Sequence, residues 1–179
     1  MDEDEEFKKV KYEKIPQLRP AFSKDGTVTA ANASTINDGA AALILASEAA
    51  VKKHNLKPIA EIVSFTDAAH EPEWFTTAPT KATSKLMEIN NMTLDEVDYF
   101  EVNEAFSVVT LAYQKLLKVP EEKVNVMGGS VSLGHPLGAS GARIVVTLIN
   151  VLRQHKGETG VAAICNGGGG ASALLIKSV

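Results

Sequence analysis

Three short segments place reactive or polar side chains where local structure would expose them. Asn103-Glu-Ala-Phe stands directly after a short apolar stretch and opens a helical pattern. An Asn there can simply cap the helix, or its amide can face a ligand. Gly134-His-Pro-Leu-Gly-Ala-Ser-Gly-Ala-Arg places His135 between Gly and Pro, ahead of a helix. That position suits core packing poorly, and an imidazole changes charge near neutral pH. Cys165 is the sole cysteine and precedes four glycines, Gly167 to Gly170, after Asn166. A lone thiol is commonly a small buried hydrophobe, and four glycines can be just a flexible hairpin loop. Bare backbone also lets N–H groups approach a ligand and serve as oxyanion donors. An amide, an imidazole and a thiol, each at the end of an apolar stretch, say more together than any one alone.

The surrounding pattern supplies the elements that would hold these loops. Residues 1–27 are polar and carry Pro16, Pro20 and Gly26, which suits a loop or extended arm. Ala40–Ala46 is a continuous apolar run of the kind expected for a buried strand. Ser47–His54 follows as a helix with Ser47 at its N-cap. Ile59–Phe65 alternates as a strand, residues 66–80 form a loop, and Thr80–Asn90 is an amphipathic helix. Thr93-Leu-Asp-Glu has capping-box form. Tyr99–Val102 is a brief strand and Glu104–Leu117 a helix. Val124–Met127 leads into the glycine-rich loop 128–141 and the apolar helix Ala142–Gln154. Gly160–Cys165 and Ala171–Ile176 are strands in a closing antiparallel hairpin. The order β-α-β-α-β-α-β-β predicts an α/β fold, with helices against a mixed, largely parallel, five-stranded sheet. A boundary falls near Lys57–Pro58, separating 1–57 from 58–179. The buried strand in 1–57 lacks sheet neighbours there, so the chain reads as incomplete.

Composition narrows the function. The chain has 179 residues, 45% of them apolar and 22% charged, enough to bury a core without disulfides. Its net charge of −4 argues against a global nucleic-acid-binding field. No apolar run reaches the roughly 18–20 residues that span a membrane. The acidic-then-basic opening MDEDEEFKK resembles neither a secretory signal nor a transit peptide. Lys8, Lys9, Lys11, Lys14 and Arg19 cluster near the start, either as a solvated basic stretch or as a phosphate-contacting strip. Neither glycine-rich segment matches the Walker A or the dinucleotide fingerprint.

NEAF, GHPLGASGAR and CNGGGGAS together resemble the three C-terminal active-site motifs of the thiolase family. Asn32-Ala-Ser-Thr-Ile-Asn-Asp-Gly-Ala-Ala resembles a fourth segment, and the likeness extends over essentially the whole chain. Thr35, Asp67-Ala-Ala-His-Glu-Pro and Val102-Asn-Glu-Ala-Phe-Ser are similar to the eukaryotic mitochondrial acetoacetyl-CoA subtype. The resemblance implies a thiolase-like C-terminal domain at 58–179, preceded at 1–57 by the tail of the loop and N-terminal domains. It implies acyl transfer through an acyl-cysteine, joining two acetyl-CoA or cleaving acetoacetyl-CoA or another 3-ketoacyl-CoA.

On that resemblance Cys165 is the acid/base thiol rather than the nucleophile. His135 activates the nucleophile and helps hold the thioester oxygen of acetyl-CoA. Asn103 fixes a water completing that oxyanion site, and the Gly167 N–H is one donor of a second. Ser34, Lys9, Lys11, Lys14 and Phe75 match positions on the coenzyme A side. Carbonyls of Ala30, Ala31, Ala33 and Val131 match those that bind potassium in potassium-activated members. No tightly bound cofactor is implied; coenzyme A thioesters are substrates. The partners implied are a homo-oligomer or a complementing N-terminal half, with no nucleic acid and no membrane. A mitochondrial setting follows from the resemblance alone.

One departure is large. The family's nucleophilic cysteine lies in its N-terminal domain, and the single Cys here sits in the CNGGGG motif. Alone, the chain is therefore expected to be inactive. A catalytically dead truncated product that binds or interferes with dimers is the rival. A ketoacyl synthase relative would want a second His at position 103, where this chain has Asn.

Overall fold

The computed structural model describes residue 3 and residues 7–179. Much of the acidic opening, read above as unlike a leader, falls outside the described residues. Two 3-10 turns, Phe7–Lys9 and Tyr12–Gln17, begin the described chain. Helix α1 spans Glu48–His54, and its N-cap is Ser47, whose Oγ accepts the Ala50 N–H at 3.2 Å. The remaining elements are β1 (Ala60–Ala69), α2 (Ala78–Ile89), β2 (Tyr99–Val102), α3 (Ser107–Leu117), α4 (Ser130–Leu133), α5 (Ser140–His155), β3 (Thr159–Cys165) and β4 (Gly170–Ser178).

The strands form one sheet in the order β1-β4-β3-β2. Only β2 and β3 run parallel; β3–β4 and β4–β1 are antiparallel. The sheet is mixed as expected, but among the described residues it has four strands rather than five and is mostly antiparallel rather than mostly parallel. The missing strand is the apolar run Ala40–Ala46, which has no regular structure and leaves Ile44 97% exposed. Side-chain pattern identified its apolarity correctly, but a strand also needs a neighbouring backbone to bond, and the described residues offer none.

Strand alternation sorts the core into two layers. Val161, Ala163, Ala173 and Leu175 pack with α2 and α3 residues such as Ala82, Leu86, Val109 and Tyr113. Ala162 and Ile176 meet Ile144, Leu148 and Leu152 of α5 on the other face. The loop expected over 66–80 is more ordered than its polarity suggests. Strand β1 continues to Ala69, and Pro72–Thr77 forms a 3-10 turn leading into α2. The capping box at Thr93 forms, with the Glu96 carboxylate accepting from the Thr93 N–H at 2.7 Å. Helix α3 starts at Ser107, three residues later than expected, because Asn103–Phe106 is held instead by the segment containing Ser34.

No helix among the described residues is long and apolar enough to cross a membrane.

Candidate active site

The parallel pairing of β2 with β3 brings two of the three loops side by side. The Asn103 N–H donates to the Ala163 carbonyl at 2.8 Å, extending the ladder one residue past β2. Cys165 follows Ala163 by two positions at the end of β3. Its thiol is partly buried against the α2/α3 layer. The structure therefore places Asn103 and Cys165 on neighbouring strand ends. The third loop joins through His135, whose Nε2 lies 3.2 Å from Asn103 Nδ2.

This contact sits within a continuous hydrogen-bond chain. Asn103 Oδ1 accepts from Ser130 Oγ at 2.9 Å and faces an Arg143 terminal nitrogen at 3.4 Å. With donors on that oxygen, the amide must turn its NH2 toward the imidazole. Nε2 is then an acceptor, so the ring proton resides on Nδ1 and is donated to Ser140 Oγ at 2.6 Å. Ser140 passes its own proton to the Pro136 carbonyl at 3.0 Å. Asn103 is fully buried and His135 nearly so. Burial, then the Arg143 charge, holds His135 below the usual imidazole range, so the neutral ring is favoured. A neutral imidazole with an unprotonated Nε2 is a base once an incoming acid takes the place of the Asn103 amide on that lone pair.

The arginine behind Asn103 is itself anchored. Its other terminal nitrogen donates to Glu101 Oε1 at 2.8 Å, and Glu101 is 1% exposed on β2. Burial pushes the Glu101 carboxyl up to about 7, against the opposing pull of Arg143. The Arg143 Nε finds no partner among the described residues. Sequence reasoning missed Ser130, Ser140, Arg143 and Glu101. Ser140 and Arg143 lie inside GHPLGASGAR, and their spacing on a helix start was the available signal.

Burial raises the Cys165 thiol above its ordinary range. The resting side chain is a thiol, suited to giving a proton; acting as base requires first losing it. Beyond it, the Asn166 side chain orders the glycine loop by accepting from Gly168 N at 3.0 Å and Gly170 N at 3.3 Å. The Gly167 N–H has no acceptor among the described residues, and open space surrounds its α-carbon. A free backbone donor two residues past the thiol, in a loop tied by Asn166, is the kind of group an oxyanion site uses.

The segment before α1 stitches these loops together. Ser34 Oγ and Ser34 N both donate to the Ala105 carbonyl, at 2.8 and 3.0 Å, while His135 N donates to the Thr35 carbonyl at 2.8 Å. The Ser34 hydroxyl proton is thus used internally, leaving its oxygen as the acceptor. Phe75 packs edge-on against Phe106 of the NEAF segment, with centroids 6.1 Å apart, and Phe22 meets the same ring. Lys9 lies in the first 3-10 turn and Lys11 and Lys14 at the second; all three are exposed, and Lys11 and Lys14 take no part in the Asn103–His135 cluster.

Among the described residues no group of His, Cys, Asp or Glu could hold a metal ion. Potassium would need only neutral oxygens. Thr29–Asn32 is a turn whose N–H groups are tied to side chains, Thr29 N to Asn32 Oδ1 and Ala31 N to Thr29 Oγ1. The carbonyls of Ala30, Ala31, Ala33 and Val131 accept no backbone or side-chain hydrogen bond among the described residues. Neutral carbonyl oxygens are the ligand type that a hard cation takes.

Comparison with known proteins gives a consistent picture. Residues 56–178 match the family model for the thiolase C-terminal domain, and residues 1–49 that for the thiolase N-terminal domain. A cytosolic acetyl-CoA acetyltransferase of Gibberella zeae is 52% identical over 179 residues, all of this chain and 45% of that protein. The mitochondrial acetyl-CoA acetyltransferase of Bos taurus is 54% identical over 99% of this chain and 42% of its own length. Among solved structures, an Ascaris suum thiolase in complex with coenzyme A superposes with a TM-score of 0.90 at 50% identity. The alignment covers all of this chain and 47% of that one. The Bacillus anthracis acetyl-CoA acetyltransferase gives 0.91 at 44% identity, covering 96% of this chain and 43% of its own. The chain thus spans somewhat under half the length of these relatives.

Proposed function

The chain belongs to the thiolase family, and from that premise we propose that it supplies the C-terminal portion of an acetyl-CoA acetyltransferase, operating beside an N-terminal half that carries the nucleophilic cysteine. The observation that carries this reading is the Asn103–His135–Ser140 hydrogen-bond line, which keeps the ring proton on Nδ1 and leaves Nε2 unprotonated, its lone pair held by the Asn103 amide until an incoming thiol displaces it.

The chemistry follows from those proton positions. His135 Nε2 takes the proton of the incoming nucleophilic thiol, and the resulting N–H then donates to the thioester oxygen as charge develops there. The proton leaves with the departing coenzyme A thiolate, and an acyl-cysteine remains on the N-terminal half. For thiolysis of acetoacetyl-CoA, the nucleophile attacks the 3-keto carbon. The C2–C3 bond breaks, and its electrons form the enolate of acetyl-CoA. Cys165 gives its thiol proton to the enolate carbon, consistent with the protonated resting state that burial favours. Condensation is the reverse: the Cys165 thiolate removes the α-proton and the enolate attacks the acyl-cysteine. The free Gly167 N–H stabilises the oxyanion on the acyl group.

Ser34 and Phe75 face the pantetheine and acyl side in this reading, and Lys9, Lys11 and Lys14 the nucleotide phosphates. Carbonyls of Ala30, Ala31, Ala33 and Val131 would hold a potassium ion. Such an ion would order the turn that carries Ser34 and leave proton transfers to the side chains. The exposed apolar run around Ile44 favours association with an N-terminal half over independent action.

The test is reconstitution. The chain should show no thiolysis of acetoacetyl-CoA by itself, and should gain activity when combined with the N-terminal half of a relative. In that mixture Cys165→Ala should abolish condensation and leave acylation by labelled acetyl-CoA. Turnover by the chain alone, or equal loss of both steps, overturns the assignment. Failure of every N-terminal half to restore activity would favour the inactive binding module.

A further inference from the structure

Arg143 is an unusual residue to bury. Its side chain is largely enclosed on the face of the sheet that α5 covers, its Nε lacks a partner among the described residues, and the carboxylate opposite it is costly to ionise there. Replacing such a pair with apolar side chains is often neutral or stabilising. Stability alone therefore gives a poor account of it. Its two terminal nitrogens, however, divide their work: one is fixed by Glu101 Oε1 at 2.8 Å. The other reaches Ser130 Oγ at 3.1 Å and Asn103 Oδ1 at 3.4 Å. Glu101 and Asn103 lie two residues apart along β2 and its extension, so they point to the same face of the sheet. A planar guanidinium spans them as a fork, a role a single ammonium cannot fill.

From this geometry we propose that Arg143, anchored by Glu101, is a positioning residue that sets the orientation of the Asn103 amide and thereby the tautomer of His135. Of the two groups facing Asn103 Oδ1, the Ser130 hydroxyl can donate or accept, whereas the Arg143 guanidinium can only donate, so a flipped amide would set NH2 against the Arg143 NH2. With the amide fixed, Asn103 Nδ2 donates to His135 Nε2 and the ring proton is confined to Nδ1. Ser140, one turn before Arg143 on α5, receives that proton. One helix start thus acts on both sides of the imidazole: Ser140 directly, Arg143 through Asn103. The consequence for catalysis rests on the acyl-transfer reading above; the tautomer does not, and can be observed without turnover.

The experiment uses the chain with 15N-labelled histidine and long-range proton–nitrogen spectra near pH 8. The signals of the four histidines are assigned by the loss of one in His135→Gln. The intact chain should show His135 as the Nδ1–H tautomer. Arg143→Met should turn this into a mixture in which Nε2–H accounts for at least about a third. Arg143→Lys preserves charge and most of the stem, so it covers the case in which the Met variant fails to fold. It should also give a mixture, because its ammonium cannot bridge Glu101 and Asn103. Glu101→Gln, still an acceptor for the fork, should keep the single tautomer. Folded Arg143 variants with an unmixed Nδ1–H signal would show that the arginine merely packs, and would overturn the proposal. An Nε2–H signal in the intact chain would overturn it too. Neither result would touch the reconstitution test of the acyl-transfer reading.

Discussion

The side-chain amide of Asn125 holds the backbone of Val102 from both sides. The Val102 N–H donates to Asn125 Oδ1 at 2.7 Å, and Asn125 Nδ2 donates to the Val102 carbonyl at 2.8 Å. Among the described residues the outer edge of β2 has only an isolated bridge from Phe100 to Val124, so this amide does the work of a neighbouring strand. Asn also suits the left-handed backbone there, with φ of 49°. Val102 is fully buried and immediately precedes Asn103.

Asn125→Ala should therefore destabilise the chain by about 2–4 kcal/mol, since two buried backbone groups lose their partners at roughly 1–3 kcal/mol each. Asn125→Asp should be at least as damaging, because a carboxylate would face the Val102 carbonyl. Urea denaturation of the three proteins measures this. A loss under about 0.5 kcal/mol for both variants would show that β2 does not depend on the amide.

The Glu101 carboxyl gives stability a pH dependence of definite sign. Its ordinary value of 4.5 is raised to about 7 in the folded chain by burial. The folded state thus holds this proton more tightly than the unfolded state. The contribution is fully present below pH 4.5 and is lost as pH rises through about 7. Stability of the native chain relative to Glu101→Gln should fall by up to roughly 3 kcal/mol across that window. Denaturant titrations of both proteins at pH 5, 6, 7 and 8 read the difference directly. A flat or rising difference would mean that Arg143 outweighs burial. His135 works in the opposite sense: its value is lowered, so its contribution is present above about 6.5 and fades as pH falls.

The sole cysteine allows a direct reading of thiol reactivity. Burial raises the Cys165 thiol, and the thiolate is the form that reacts with iodoacetamide. At pH 8 alkylation should run at least several-fold slower than for a free thiol such as that of glutathione. The gap should narrow toward pH 10 as the buried thiol ionises. Mass spectrometry of the singly labelled chain follows the rate. Alkylation faster than the free thiol at pH 8 would indicate a stabilised thiolate, and the proton-donor assignment for thiolysis would fail.

Much of this site was legible as three loops in the sequence, because Asn, His–Pro and Cys before glycines are rare combinations with local backbone causes. The partners that fix their proton positions were not. Ser130 and Arg143 act on Asn103 from α4 and α5, 27 and 40 residues away in sequence, and no helical or strand period encodes such contacts. The fold shows the same division. Helices α2 and α5 and the closing hairpin were readable from apolar spacing. The run around Ile44 has a strand's composition, yet strand formation depends on a neighbouring backbone that composition does not record. Pairing direction escaped for a related reason: β1 looks like a strand wherever it is placed, and only its register with β4 makes it antiparallel.

The glycine loop after Cys165 separates two requirements that look identical in the sequence. Gly169 has φ of +88°, and a Cβ there would overlap the His70 carbonyl oxygen. That carbonyl lies one residue beyond β1, where His70 N donates to the Gly169 carbonyl at 3.0 Å. A methyl group on Gly167 would meet nothing within 4 Å, and the residue keeps its N–H whatever its side chain. Gly169→Ala should therefore cost about 2 kcal/mol or more, from left-handed backbone strain and the clash with an element that cannot easily yield. Gly167→Ala should change stability by under about 1 kcal/mol. In the reconstituted enzyme it should act mainly by crowding the bound acyl group, raising KM while the fold stays intact. Thermal unfolding of both variants gives the first comparison and steady-state kinetics the second. If the two alanines destabilise equally, the loop is a flexible connection, and the ordered donor assigned to Gly167 loses its structural basis.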